Sequence, residues 1–140
     1  MKKLFIFVVT FIFGLQTTIV YSQNLKVDFT WQLKHSCSKV LPEIKVEGIP
    51  AGTIELNIRM VDLDMRTFNH GGGLVKNDTG FSDKYTVAEG ALKSYDGPCP
   101  PNFSSFGHDY EFTVIARDKE NKKVAEGERK KTFSAKEVKQ

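Results

Sequence analysis

YDGPCPPNFSSFGHDYEFTVIAR, residues 95–117, decides the fold. Its second half alternates. Tyr110, Phe112, Val114 and Ala116 fall on one face, with Glu111, Thr113, Ile115 and Arg117 between them. A period of two is the signature of a strand with one face against a core. In the first half, Pro98, Pro100 and Pro101 flank Cys99. Proline fixes its own φ, so this segment is a preset wall leading into the strand. Outward from it the same alternation recurs. Ile54, Leu56, Ile58 and Met60 alternate with Glu55, Asn57 and Arg59 and run into Val61-Asp62. Leu25, Val27, Phe29 and Trp31 form another set, and Ile44 with Val46 a short third one, closed by the turn chemistry of Gly48–Gly52. Asp118–Lys122 is a polar turn, and Glu128–Lys131 is a solvated run that ends an edge strand or a short helix. There is no internal repeat, heptad or long amphipathic helix. The expected class is mainly β. The glycine-rich middle, residues 63–108, is expected to form loops where a site would sit.

Composition agrees with one small domain. The chain has 140 residues, 40% hydrophobic and 26% charged, which argues against disorder and against a multi-domain enzyme. Met1-Lys2-Lys3, the apolar run Leu4–Phe13 and the modest Val20-Tyr21-Ser22 form a secretory signal pattern over residues 1–22. The domain is then 23–140, periplasmic or secreted, with no transmembrane segment in the mature chain. Without Lys2 and Lys3 the net charge drops from +3 to +1. That balance makes nucleic acid a poor partner. Two cysteines remain, Cys37 and Cys99. An isolated pair in an oxidising compartment reads most simply as a disulfide, with two buried thiols as the alternative. On the chain-entropy model such a bond stabilises by about 4 kcal/mol.

His70 follows the acidic pair Asp62 and Asp64, and His108 opens the strand 110–117. Imidazoles beside carboxylates favour their protonated form, and an imidazolium donates charge-assisted hydrogen bonds to phosphate or carboxylate. The N–H groups of Gly71–Gly73 would add donors if they faced inward. The alternative is that each histidine satisfies a strand end. No HExxH, GxSxG or phosphate loop is present, so neither a metal nor another cofactor is expected, and no catalytic residue is assigned.

The order of the motifs carries more than any one of them. Ser36-Cys37-Ser38 with Leu41-Pro42-Glu43-Ile44 precedes Gly48-Ile49-Pro50-Ala51-Gly52-Thr53. Then come Met60-Val61-Asp62-Leu63-Asp64, His70, Tyr95–Pro101 and Gly107-His108-Asp109-Tyr110-Glu111-Phe112. This succession resembles the phosphatidylethanolamine-binding protein family, which includes the Raf kinase inhibitor proteins, over about residues 36–118. The resemblance implies a central antiparallel sheet with a smaller second sheet and a few short peripheral helices. It also implies a small pocket for phosphate-like or carboxylate-like anions. By motif position that pocket takes Asp62, Asp64 and His70, a wall from Pro100 and Pro101, and His108 with Tyr110. The chain departs from the family pattern at Leu63 (a proline there), Gly71 (an aromatic) and Asp109 (an arginine). A carboxylate in place of a guanidinium lowers the local potential and should weaken anion affinity.

The expected function is a non-enzymatic binding protein for a small anion or phospho-headgroup, which makes lipid binding an expectation too. The rival expectation is a protein-interaction or inhibitor module whose pocket is degenerate. The family's kinase-inhibitor role is not carried over.

Overall fold

The computed structural model describes residues 23–138, so the expected signal segment 1–22 lies outside the described residues. Nine strands follow in chain order: β1 Gln23–Asn24, β2 Lys26–Phe29, β3 Ile44–Glu47, β4 Thr53–Asp62, β5 Gly71–Lys76, β6 Lys84–Val87, β7 Ser94–Tyr95, β8 His108–Asp118 and β9 Lys123–Phe133. The large sheet has the order β1-β9-β8-β4-β5-β7 and the small one β2-β3-β6. All pairings are antiparallel except β1, which lies parallel to β9 with Gln23 opposite Ala125. The mainly β class and the two unequal sheets are as the sequence implied. The peripheral helices shrink, among the described residues, to one 3-10 turn at Leu33–His35. No described helix is long and apolar enough to cross a membrane.

The core is what the alternation requires. Val27, Phe29, Ile44, Val46 and Val87 of the small sheet are buried together with Leu56, Ile58, Met60, Phe112, Val114 and Ala116 of the large one. Phe29 meets Phe112 edge-on at 4.9 Å between ring centroids, and Trp31 meets Phe133 edge-on at 5.4 Å. Edge-to-face contact is a favoured aromatic geometry.

Three expectations change in detail. Ile54 is only partly buried, because the register between β4 and β8 shifts between Thr53 and Glu55; the bulge turns Thr53 inward instead. The middle of the chain holds β5, β6 and β7 as well as loops. The run Glu128–Lys131 lies inside β9, beyond Ala125–Glu126 where β1 pairs with it, so this part of β9 has the solvated pattern of a sheet edge.

Gly71–Gly73 are strand residues, not anion donors. Gly71 has φ +72, and a Cβ there would stand 2.1 Å from the carbonyl oxygen of Ser94, so only glycine fits against β7. The Gly71 N–H donates to Asn69 Oδ1 at 3.0 Å. Gly72 and Gly73 pair with β4.

Candidate functional site: a histidine–carboxylate cavity

Neighbouring strands β8, β4, β5 and β7 present their site-bearing ends at one edge of the large sheet. Asp62 ends β4 directly opposite Tyr110 of β8, and His70 immediately precedes β5. Gly71 pairs with Tyr95, after which the proline wall begins. Together they enclose a cavity of about 80 Å³ lined by Asp62, Met65, Phe68, His70, Cys99, Pro101, His108 and Tyr110.

Asp62 is the floor. It is 3% exposed. Its Oδ1 accepts the backbone N–H groups of Asp64 and Met65, both at 2.9 Å. Its Oδ2 accepts His108 Nδ1–H at 2.8 Å and lies 3.9 Å from His70 Nε2. Burial pushes its pKa up. The hydrogen bonds from His108, Met65, Asp64 and Tyr110 together outweigh burial and hold it below the usual carboxylate value. The phenol of Tyr110 shifts the other way. Its burial and the adjacent Asp62 charge push it well above the ordinary tyrosine value, so it remains a protonated donor.

The tautomers follow from these partners. His70 Nδ1–H donates to the carbonyl of Asp96 at 2.8 Å, and His108 Nδ1–H donates to Asp62. In each neutral ring Nε2 is therefore left as an acceptor; only after protonation does it become a donor. Buried His70 packs edge-on against Tyr110 at 5.3 Å and beneath Phe68 at 4.6 Å.

Five of the seven expected residues line the cavity: Asp62, His70, Pro101, His108 and Tyr110. Asp64 and Pro100 stand outside the lining. Asp64 turns its Oδ2 to the N–H of Asp109 at 2.7 Å, tying the end of β4 to β8. Pro100 is buried behind the wall. Met65 and Phe68, half-exposed, were not anticipated, while Cys99 was read as part of the wall and the disulfide but not as a ligand contact. The loop 63–69 has no periodicity, but Met65 and Phe68, large apolar residues between polar ones, were the one available signal. Phe68 provides an aromatic at His70 although Gly71 follows that histidine. Asp109 is also not in the lining. Its carboxylate bonds Lys130 at 2.7 Å and Thr132 at 2.5 Å, and its pKa is lowered chiefly by Lys130. The charge that should have depressed the pocket potential is thus neutralised on β9.

Asp62, Asp64 and His108 bring one donor atom each within 4.8 Å of one another, a spacing open to a cation. Both facing carboxylates are already committed, Asp62 Oδ2 to His108 and Asp64 Oδ2 to Asp109. The Cys37–Cys99 disulfide is present, spanning 62 residues, and it occupies the sulfur at the cavity wall.

A family model described as phosphatidylethanolamine-binding protein matches residues 16–140. No curated protein and no solved structure matches the chain.

Proposed function

This chain belongs to the phosphatidylethanolamine-binding protein family, and on that premise we propose that it is an exported, non-catalytic binding protein for a small phosphate-like or carboxylate-like anion. The observation that carries the reading is the pair of rings over Asp62. His108 at 2.8 Å and His70 at 3.9 Å share one buried carboxylate oxygen in a cavity of about 80 Å³. With Nδ1 of both rings committed to Asp96 and Asp62, Nε2 is the ring nitrogen each imidazole has left for a ligand. Met65 and Phe68 at the mouth suit the apolar part of a phospho-headgroup ligand. Cys99, bonded to Cys37, offers no thiolate for nucleophilic chemistry.

The test is an NMR titration with inorganic phosphate and with phosphoethanolamine, following the ring signals of His70 and His108. Saturable shifts in both rings, lost in His108→Ala, are the expected result. One observation favours the rival reading of a protein-interaction surface. Met65 and Phe68 are about half exposed, and Phe106 in the following turn is 74% exposed. Silence of both rings up to tens of millimolar anion would select that reading.

A further inference from the structure

We propose that the loop Cys37–Lys39 is a positioning clamp for the cavity, and that the Cys37–Cys99 bond makes the clamp releasable by a dithiol. Its consequence for ligand affinity rests on the anion-pocket reading; its geometry does not. Three consecutive residues grip four. Cys37 bonds Cys99 through sulfur and donates its N–H to the carbonyl of Pro98 at 2.8 Å. Ser38 accepts the N–H of Gly97 at 2.7 Å, and Lys39 Nζ meets Asp96 Oδ1 at 2.5 Å. Gly97 has no room to spare. A Cβ on it would stand 2.6 Å from the carbonyl oxygens of both His35 and Ser38.

What the gripped segment holds is the site. The Asp96 carbonyl fixes His70 Nδ1–H at 2.8 Å, and the Asp96 N–H returns to the His70 carbonyl at 3.0 Å. Cys99 and Pro101 are cavity wall. Neither 37–39 nor 96–99 belongs to a strand, so no sheet ladder keeps them in register. Without the covalent link, the two segments are joined by two backbone hydrogen bonds and one exposed ion pair, which are weak contacts. Cys37 also sits at φ +48, a left-handed conformation that a non-glycine residue adopts at a cost.

Both cysteines are exposed, so the bond is within reach of a solution thiol. A dithiol thiolate attacks one sulfur to give a mixed disulfide, and its second thiol closes on the first. The reductant leaves as its own disulfide, having delivered two electrons and two protons. Cys37 and Cys99 are left as thiols. Cys37, Lys39 and Asp96 are positioning residues in this account. They act on a ligand through His70 and the wall.

The experiment compares oxidised and dithiothreitol-reduced protein labelled with ¹⁵N-histidine. Three things are read: the His70 ring nitrogens at about pH 8, where an ordinary imidazole is neutral, the amide dispersion of β4, β8 and β9, and the affinity for inorganic phosphate. Oxidised protein should show one His70 tautomer with the proton on Nδ1. Reduction should average the two tautomers, leave the strand amides in place and weaken phosphate by about tenfold, a usual size for such coupling. Reoxidation should restore all three. Lys39→Ala in the oxidised protein should move the His70 signals less than reduction does. An unchanged His70 ring after reduction would overturn the clamp. So would collapse of the strand amides, which would make the bond a staple of the whole domain. If the ring switches but phosphate never binds even the oxidised protein, the clamp stands and the anion reading fails.

Discussion

At the scale of single residues, Asp62 answers to more partners than any other side chain of the site: two backbone N–H groups, one imidazole at hydrogen-bond distance and the Tyr110 phenol. Its lowered pKa fixes the sign of its contribution to stability. A carboxylate favoured in its charged form by the fold binds fewer protons folded than unfolded. Its contribution is complete above the ordinary carboxylate value and is lost as pH falls through the depressed native one. Asp62→Asn should therefore cost about 2 kcal/mol at neutral pH, the usual weight of hydrogen bonds to a charged group. The variant's stability should also decline less between about pH 4 and about pH 2. Urea denaturation at several pH values checks both. A variant with the same acid slope as the parent would mean that Asp62 is not the group responsible.

At the scale of elements, the 3-10 turn Leu33–His35 carries a second buried imidazole. His35 Nδ1 accepts the backbone N–H of Gln32 at 3.0 Å, so Nε2 holds the proton and faces Glu89 Oε2 at 3.4 Å. Burial lowers its pKa, more than Glu89 raises it, and Lys34 adds to the lowering. Here the folded state disfavours the added proton. Stability is full above the ordinary imidazole value and falls as pH drops from about 6.5 toward the native one. His35→Gln should flatten that limb while the signals of His70 and His108 stay in place; hydrogen exchange of the Gln32, Leu33 and Ser36 amides across pH 7 to pH 5 reads it (about that range suffices). The elements also differ in how legible they were. β4 and β8 were plain, because one buried and one wet face impose strict alternation. β5 was hidden by Gly71–Gly73, whose lack of side chains erases the pattern while allowing the close approach to β7. β9 was ambiguous because its stretch Glu128–Lys131, past the short pairing with β1, carries no alternating apolar face. The site was half legible. His70, His108 and Asp62 stood out by chemistry, and motif order brought in Tyr110 and Pro101. The placing of Met65 and Phe68 depends on how an aperiodic loop folds back, which no local spacing encodes.

For the whole molecule, stability lies where the two sheets meet. Phe112 is fully buried, edge-on to Phe29 and stacked on Tyr95 at 6.1 Å. Phe112→Ala should cost about 4 kcal/mol, by lost transfer energy plus the cavity left behind. A loss under about 1 kcal/mol in chemical denaturation would mean that this interface is not the core. The many lysine–carboxylate pairs at the surface contribute far less, being exposed and screened. The placing of the described ends has a practical side. β1 pairs with Ala125, which lies opposite Ala116, whereas Phe133 lies opposite His108. The eight steps along β8 from His108 to Ala116 span roughly 27 Å at the usual rise of a strand. Among the described residues, β1 thus joins the large sheet at the end remote from the cavity, and β9 ends beside it. A biosensor chip or a fusion partner joined through the Gln23 side of the sheet is therefore expected to stand about one strand length farther from the cavity than one joined at Phe133.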